Sequence, residues 1–240
     1  IVKCVRRCGL EVNDLVLQPL ASSYAVLSED EKDLGVCLID IGGGTTDIAV
    51  WTQGAIRHTS VIPIAGDQVT NDIAMALRTP TREAEDIKCK YGCALSQLAD
   101  VSENLDVAGV DDRPSRKLSR RALADVIQPR VEELYELIQN ELRRAGFEEV
   151  LSSGIVLTGG ASVMPGMVEL GEEIFHMPVR LGMPKYAGSL SEVVQHPRYA
   201  TAMGLLLEGM AQKKRGIQAH RTRTFKQVLG NMKSWFEKNF

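Results

Sequence analysis

The spacing of hydrophobic and polar positions predicts strands that are separated by helices. Residues Val36–Ile41 form a continuous apolar run, which is typical of a buried strand. Two further apolar segments follow after glycine-containing turns, at Thr46–Thr52 and at 56–62, and the three together predict a β-meander. Weak alternation predicts another strand at 12–18, and a short apolar run predicts one at 154–158.

Helical spacing of apolar residues recurs through the rest of the chain. Gly9 is expected to end the first helix, Pro19 to lie in the first turn of the second, and Thr81 to cap a later one. Pro129 predicts a kink or the start of a new helix, because proline has no N–H. The predicted helices are 1–8, 19–27, 66–77, 81–90, 119–127, 129–144, 162–175, 198–210 and 225–240. Residues 28–33 and 211–224 are expected to be charged connections, and 93–118 give no clear pattern.

Strands alternate with helices in the first and third quarters, and helices fill the middle, which predicts a mixed α/β domain with a helix-rich insertion. The chain of 240 residues is 44% hydrophobic and 25% charged, enough apolar material for a real core. Its formal net charge of −3 argues against a nucleic-acid partner. The sequence contains no run of 18 apolar residues, so it predicts no membrane-spanning helix.

A glycine turn between the first two strands of the meander is the strongest candidate for chemistry. Because glycine has no Cβ, the N–H groups of this turn can approach a phosphate closely and form a concave anion site. Asp40 and Asp47 flank the turn, where a carboxylate would act through a metal ion or a water molecule. The alternative is a glycine-rich hairpin without a ligand. The candidate phosphate-binding residues are Gly42, Gly43, Gly44, Thr45 and Thr46.

Two further segments follow in the order expected of a nucleotide site. A strand ends in Gly159 and Gly160 and a helix is expected to start directly after this segment, so that N–H groups and the helix dipole would face a nucleotide. Glu85 and Lys88 lie three residues apart and share one helix face, although a solvated ion pair explains that spacing equally well. The order of the three segments favours nucleotide binding.

Residues 225–240 predict an amphipathic helix that follows a basic linker. The apolar side chains cover an arc of about 140°, and a length of about 24 Å is too short to span a bilayer but suits its interface. Basic residues in the linker would attract anionic lipid. The alternative is that the helix packs on its own domain. The apolar face consists of Phe225, Val228, Leu229, Met232, Trp235, Phe236 and Phe240.

Together these motifs resemble the FtsA family of bacterial cell-division proteins. The turn matches the second phosphate motif of actin-like ATPases, residues 154–161 resemble their adenosine motif, and residues 84–88 resemble a helix that grips the ribose and base. Several local segments also resemble the family, namely residues 20–24, 41–45, 57–59 and 91–95. The resemblance implies an actin-like (ribonuclease H-like) α/β ATPase domain, with a mixed β-sheet, flanking helices and an inserted α/β subdomain.

The resemblance also implies ATP and Mg²⁺ as cofactors, with at most weak ATPase activity. Asp40 would hold hydrated Mg²⁺ and orient the attacking water, with Asp47 and Gln18 as further water-positioning groups. Glu85, Lys88 and the segment at Gly159, Gly160 and Ala161 would bind the adenosine. An ATPase of the same superfamily that acts as a chaperone or a small-molecule kinase is the alternative.

The domain organisation implied by the resemblance is that of a C-terminal part, lacking subdomain 1C and most of 1A. Residues 1–33 would end subdomain 1A, 34–65 and 150–196 would form the nucleotide-binding 2A, and 66–149 would form 2B. Residues 197–210 would return to 1A, 211–224 would be the linker, and 225–240 the membrane-targeting helix. Because the first phosphate motif is not found, this chain alone is expected to bind ATP weakly or not at all.

The implied partners are the C-terminal tail of FtsZ, further copies of the protein in actin-like protofilaments, anionic membrane lipid and later cell-division proteins. Arg116 and Arg130 match the family's basic contacts to the FtsZ tail, although a solvated basic face is the alternative. The implied role is to tether FtsZ polymers to the cytoplasmic face of the inner membrane at the division septum, as a peripheral membrane protein.

Overall fold

The computed structural model describes residues 1–109, 114–185 and 191–214. Its strands are β1 Val36–Ile41, β2 Thr46–Thr52, β3 Ala55–Ile62, β4 Asn104–Val107, β5 Arg116–Ser119, β6 Ile155–Thr158 and β7 Val179–Leu181. Its helices are α1 Val2–Arg7, α2 Gln18–Val26, α3 Glu29–Leu34, α4 Gly66–Leu77, α5 Thr81–Tyr91, α6 Arg120–Ala145, α7 Met167–Phe175, α8 Ser191–Val194 and α9 Ala200–Lys214.

The larger sheet has the strand order β3-β2-β1-β6-β7. β1 pairs antiparallel with β2, and β2 pairs antiparallel with β3, so the predicted meander is confirmed. On its other side β1 pairs parallel with β6, which pairs parallel with β7. The central β1 is buried along its whole length, as its unbroken apolar run predicts.

Alternation along β1 decides which side chains face which helices. Ile39 and Ile41 belong to the larger hydrophobic core, which α4, α6 and α7 complete. Val36 and Leu38 belong to a second core, which α2 and α9 complete on the opposite face. Helices therefore flank the mixed sheet on both faces, as predicted.

The segment between β3 and β6 forms the insertion. It contains α4, α5, α6 and a two-stranded antiparallel sheet of β4 and β5, and its apolar side chains continue the larger core. The strands β4 and β5 lie almost entirely within residues 93–118, for which no clear element was predicted.

The described residues divide into two compact units. Leu17–Leu207 contains both sheets and the insertion, and Ile1–Val16 belongs with the residues that follow Leu207. In the smaller unit α1 ends as predicted, with Gly9 in the left-handed region at φ 79°.

Several predicted elements are wrong. Residues 12–17 form no strand and pair with neither described sheet, and Gln18 instead begins α2 with Pro19 in its first turn. The predicted connection at 28–33 contains α3, because Ser28 and Glu31 form a capping box that the sequence analysis overlooked. Pro80 rather than Thr81 caps α5.

Helix boundaries differ from prediction in three further places. Pro129 lies inside the continuous helix α6, whose buried residues on either side, such as Ile127 and Val131, outweigh the lost N–H. Gly166, at φ 86°, delays α7 to Met167. α9 runs on to Lys214, so the expected linker at 211–224 begins inside a helix.

The predicted amphipathic helix at 225–240, with its apolar residues, lies outside the described residues. Across 1–109, 114–185 and 191–214, no helix is both long and apolar enough to cross a membrane.

Candidate nucleotide site

The glycine turn links β1 to β2 and lies against the start of α4. Its own ends are joined by a hydrogen bond of 3.0 Å from the Gly42 N–H to the Thr45 carbonyl. The Gly42 carbonyl accepts from the Gly66 N–H at 3.1 Å, and the Gly43 carbonyl accepts from the Asp67 N–H at 2.8 Å. These bonds fix the turn while Gly43, Gly44 and Thr45 stay exposed to solvent.

Gly66 is the point at which the three predicted nucleotide-binding segments meet. A Cβ on this residue would lie 3.3 Å from the Gly42 carbonyl oxygen, 3.4 Å from the Ala161 Cβ and 3.4 Å from the Lys88 Nζ. The glycine turn, the segment after β6 and the Glu85–Lys88 pair therefore surround one residue. Gly66 was not among the predicted site residues, although a glycine at the start of an amphipathic helix could have indicated a close approach of another segment.

Gly159 brings the segment after β6 close to the end of β1. Its backbone has φ 90°, and a Cβ would lie 2.3 Å from the Ile41 carbonyl oxygen and 2.5 Å from the Asp40 Oδ1. Only glycine fits this approach. At the next residue, Gly160, the only atom of the described residues within 4 Å of a Cβ would be the Arg198 Cβ, at 3.8 Å.

Glu85 and Lys88 form part of a partly buried hydrogen-bond network, in which the Lys88 side chain is largely covered and the Glu85 side chain is 46% exposed. Lys88 Nζ donates to the Gly66 carbonyl at 2.9 Å and to Thr70 Oγ1 at 2.7 Å, and it lies 2.7 Å from Glu85 Oε2. Thr70 in turn donates to Glu85. Burial acts to raise the pKa of Glu85, but hydrogen bonds from Lys88 and Thr70 outweigh it and lower that pKa. The network fixes α5 to the first turn of α4.

A cavity of about 510 Å³ lies between α4 and α5. Its size falls within the range of small-molecule sites. Asp67 connects it to the glycine turn, because its carboxylate lies 3.3 Å from the position of a Cβ on Gly43. The cavity is lined by Asp67, Thr70, Asn71, Thr81, Arg82, Glu85 and Asp86.

Asp40 and Asp47 face each other across β1 and β2 and are both buried. Burial raises the pKa of Asp40, although hydrogen bonds from neighbouring side chains act in the opposite direction. Burial and, after it, the charge of Asp40 raise the pKa of Asp47. Like charges directly opposite each other on neighbouring strands destabilise a sheet. A cation bound between the two carboxylates would offset this repulsion.

The donor set of this carboxylate pair fits Mg²⁺. Carboxylate oxygens are the ligands that Mg²⁺ prefers, and the ion usually keeps several waters and contacts one or two carboxylates. The described residues contain no group of three or more His, Cys, Asp or Glu side chains that could hold a metal ion. Asp40 and Asp47 would therefore hold a largely hydrated ion.

Two hydroxyl groups next to Asp40 escaped the sequence analysis. Ser22 Oγ donates to Asp40 Oδ2 at 2.6 Å, and Thr201 Oγ1 lies 3.4 Å from the same oxygen. Gln18, which the sequence analysis did include, also lowers the pKa of Asp40 by hydrogen bonding. Ser22 and Thr201 stand on helices distant in sequence from the glycine turn, so no local motif marked them.

The two threonines of the turn differ in what they can offer a phosphate. Thr46 is buried, and its hydroxyl donates to the Ile64 carbonyl at 2.7 Å, so that this proton is not available. The Thr45 hydroxyl is exposed and makes a long hydrogen bond of 3.4 Å to Asp47 Oδ2.

Arg116 and Arg130 both contact α4 but lie outside this site. Arg116 Nη2 donates to the Leu77 carbonyl at 2.6 Å. Arg130 donates to both carboxylate oxygens of Asp72, at 2.5 Å and 3.0 Å, and also to Glu133. Arg130 is therefore paired within the chain, and its hydrogen bonds to Asp72, followed by the charges of Asp72 and Glu133, raise its pKa against the opposing effect of burial.

Comparison with known proteins relates this arrangement to one family. The profile of the family "Cell division protein FtsA" matches residues 37–204. Over the whole chain, the sequence is 59% identical to cell division protein FtsA of Pseudomonas aeruginosa and 46% identical to that of Escherichia coli K12. The chain spans 59% of the length of the first relative and 60% of the second.

Solved structures show the same fold at low sequence identity. MreB5 of Spiroplasma citri bound to ADP superposes with a TM-score of 0.71 at 20% identity, covering 89% of this chain and 65% of that one. The protein in the PilM–PilN type IV pilus biogenesis complex gives 0.65 at 21% identity, covering 86% of this chain and 56% of the other. The predicted actin-like fold is confirmed.

Proposed function

The chain belongs to the FtsA family of cell-division proteins, and on that premise we propose that it is the nucleotide-binding part of an ATP-dependent division scaffold. The observation that carries the proposal is the meeting of three segments around Gly66, beside the paired carboxylates of Asp40 and Asp47. The chain covers about three-fifths of its relatives' length, so the other wall of the cleft would come from sequence outside it.

Each part of the site has a distinct task in this proposal. The exposed N–H groups of the glycine turn bind phosphate oxygens, as backbone amides do in other anion sites. Asp40 and Asp47 hold hydrated Mg²⁺, which offsets the negative charge of the phosphates. Gln18 and Asp40 orient a water molecule, and Glu85 with Lys88 binds the ribose.

The test is to titrate MgATP into a protein of the relatives' full length that contains this chain, and to measure the binding affinity. Gly66→Val should abolish binding, because its methyl groups would enter the space between the Gly42 carbonyl and Lys88 Nζ. The matched control is Gly209→Val, since a Cβ on Gly209 has no atom of the described residues within 4 Å. The proposal is wrong if the unaltered protein does not bind MgATP.

We further propose the subdomain boundaries implied by the family. Residues 34–65 and 150–196 are the nucleotide-binding subdomain 2A, 66–149 are subdomain 2B, 1–33 end 1A, and 197–210 return to it. The position of α4, α5, β4, β5 and α6 between β3 and β6 supports the assignment of 2B. Actin-like relatives such as the MamK double helical filament support self-association of this chain into protofilaments.

Arg116 and Arg130 are proposed to bind the acidic tail of FtsZ on subdomain 2B. The Asp72 and Glu133 carboxylates that now pair with Arg130 show that its guanidinium can accommodate acidic side chains. Arg116→Glu with Arg130→Glu should abolish binding of the tail peptide. Arg143→Glu, an exposed arginine of α6 paired with Glu148, is the matched control. Unchanged affinity in the double variant would discard the assignment.

Residues 225–240 are proposed to bind anionic lipid at the membrane surface, so that assembly of many copies holds the filament there by avidity. Deletion of these residues should abolish co-sedimentation with liposomes that contain anionic lipid. If the shortened protein still sediments with the liposomes to the same extent, this part of the proposal is wrong.

A further inference from the structure

Hydroxyl groups from two helices converge on one oxygen of Asp40. Ser22 Oγ on α2 lies 2.6 Å from Asp40 Oδ2, and Thr201 Oγ1 on α9 lies 3.4 Å from that oxygen and 2.9 Å from Ser22 Oγ. A hydroxyl carries one proton. The Ser22 proton is committed to Asp40 at the shortest of these distances, and the Thr201 hydroxyl can donate to Ser22 Oγ or to Asp40 Oδ2. In either arrangement Thr201, Ser22 and Asp40 form one connected chain of hydrogen bonds.

The fold holds this chain of hydrogen bonds rigidly. Strand alternation places Asp40 on the same face of β1 as Leu38, which packs in the core that α2 and α9 complete. The two helices approach closely beside Ser22, because a Cβ on Gly204 would lie 1.7 Å from the Ala21 carbonyl oxygen. Ser22 is fully buried, so water does not compete for its hydroxyl.

The two oxygens of Asp40 face different surroundings. Oδ2 receives the hydroxyl groups of the helices, whereas Oδ1 lies 2.5 Å from the position that a Cβ on Gly159 would occupy. Oδ1 therefore points toward the segment after β6, which belongs to the candidate nucleotide site. With Oδ2 held by Ser22, rotation of the carboxylate about its Cβ–Cγ bond would break a short charge-assisted hydrogen bond.

We propose that Ser22 and Thr201 are positioning residues, which fix Oδ2 of Asp40 so that Oδ1 alone faces the water shell of Mg²⁺. The inference rests on the proposed function. Both hydroxyl groups act through Asp40, since each lies within hydrogen-bond distance of its Oδ2. Partners that orient a metal-binding side chain typically change metal affinity by about 10-fold to 100-fold when removed.

The test separates the Mg²⁺-dependent part of nucleotide binding from the rest. ATP affinity is measured by calorimetry with Mg²⁺ and with EDTA, for this chain in a protein of its relatives' full length. Ser22→Ala should reduce the gain in affinity that Mg²⁺ provides by about tenfold and leave the affinity in EDTA unchanged. Thr201→Val should reduce that gain by a smaller factor, and Thr201→Ser, which keeps the hydroxyl, should restore it.

Ser23→Ala is the matched control. Ser23 is equally buried on the same helix, but its hydroxyl donates to the Pro19 carbonyl and accepts from Trp51 Nε1. If Ser22→Ala and Ser23→Ala change the effect of Mg²⁺ equally, the inference is overturned. If Ser22→Ala does not fold, equal Mg²⁺ responses of Thr201→Val and Thr201→Ser overturn it. Failure of the unaltered protein to bind ATP would instead refute the proposed function, and the inference with it.

Discussion

Gly159→Ala is predicted to be far more damaging than Gly160→Ala, although the two glycines are neighbours in one motif. At Gly159 the backbone has φ 90° and ψ 166°, a region that is essentially restricted to glycine. The new methyl group would also lie 2.3 Å from the Ile41 carbonyl oxygen, well inside van der Waals contact. The Ile41 oxygen is a backbone atom at the end of the central strand β1, so it cannot move away freely.

The magnitude follows from two costs and one gain. Forcing alanine into this backbone region costs about 1–3 kcal/mol, and overpacking a rigid core costs about 1–3 kcal/mol more. Restricting the unfolded chain returns about 0.4–1 kcal/mol. Gly159→Ala is therefore expected to lose about 1–5.6 kcal/mol of unfolding free energy, a large part of the total of a typical domain. Gly160→Ala should stay within about 0.5 kcal/mol, since the only atom of the described residues within 4 Å of its Cβ would be the Arg198 Cβ at 3.8 Å.

Urea unfolding, followed by circular dichroism, measures both variants against the unaltered chain. The m-value should remain constant, so that the shift in midpoint reports stability alone. Equal midpoints for Gly159→Ala and Gly160→Ala would refute the reasoning, because they would mean that the end of β1 does not constrain the segment after β6.

Three further outcomes are expected. Gly204→Ala should lower the unfolding free energy by more than 2 kcal/mol, by analogy with overpacked cores (about 1–3 kcal/mol), because its Cβ would lie 1.7 Å from the Ala21 carbonyl oxygen. Gly209→Ala, on the same helix, should be neutral or stabilising. Equal urea midpoints for the two variants would contradict this prediction. Glu31→Gln should cost about 1 kcal/mol of unfolding free energy at pH 7, since Arg180 donates to both oxygens of Glu31. Burial acts to raise the pKa of Glu31, but hydrogen bonding outweighs it and lowers that pKa below its value in the unfolded chain, so the difference in stability should disappear as the pH falls through the folded pKa. A difference in urea titrations that does not depend on pH would contradict this prediction. Asp47→Asn should raise the unfolding free energy at pH 7. Burial and the charge of Asp40 raise the pKa of Asp47, so that its charged form destabilises the folded chain above that pKa. If Asp47→Asn is no more stable than the exposed control Asp106→Asn, this prediction is wrong.

The main strands and helices could be predicted because their patterns are long and their ends are marked. Val36–Ile41 is apolar throughout, and Gly66–Leu77 keeps its helical spacing for three turns. Short elements escaped prediction for the opposite reason. β4, β5 and β7 have three or four residues each, too few for alternation to be read. α3 has six mostly charged residues, and its Ser28–Glu31 capping box, the local sign of a helix start, was overlooked.

The candidate site divides in the same way. The glycine turn and the glycines after β6 could be identified, since glycines next to a buried strand are a local signal. Ser22, Thr70 and Thr201 could not, because each acts through a tertiary contact. Thr70 reaches Lys88 across two helices, and Thr201 is 161 residues from Asp40 along the chain. A single serine in a helix carries no mark of the carboxylate that it will meet.

The register of one strand determines most of this arrangement. Odd-numbered residues of β1 face α4, α6 and α7, and even-numbered residues face α2 and α9. Asp40 must therefore lie on the side of Ser22, and the pairing of β1 with β2 puts Asp47 directly opposite it. A slip of β1 by one residue would turn Asp40 into the larger apolar core, where no hydroxyl chain could stabilise its charge. The apolar pattern that fixes the sheet thus also fixes which helices support Asp40, so that substitution of Ser22 in α2 or of Thr201 in α9 should alter the Mg²⁺-dependent part of nucleotide binding without touching the glycine turn.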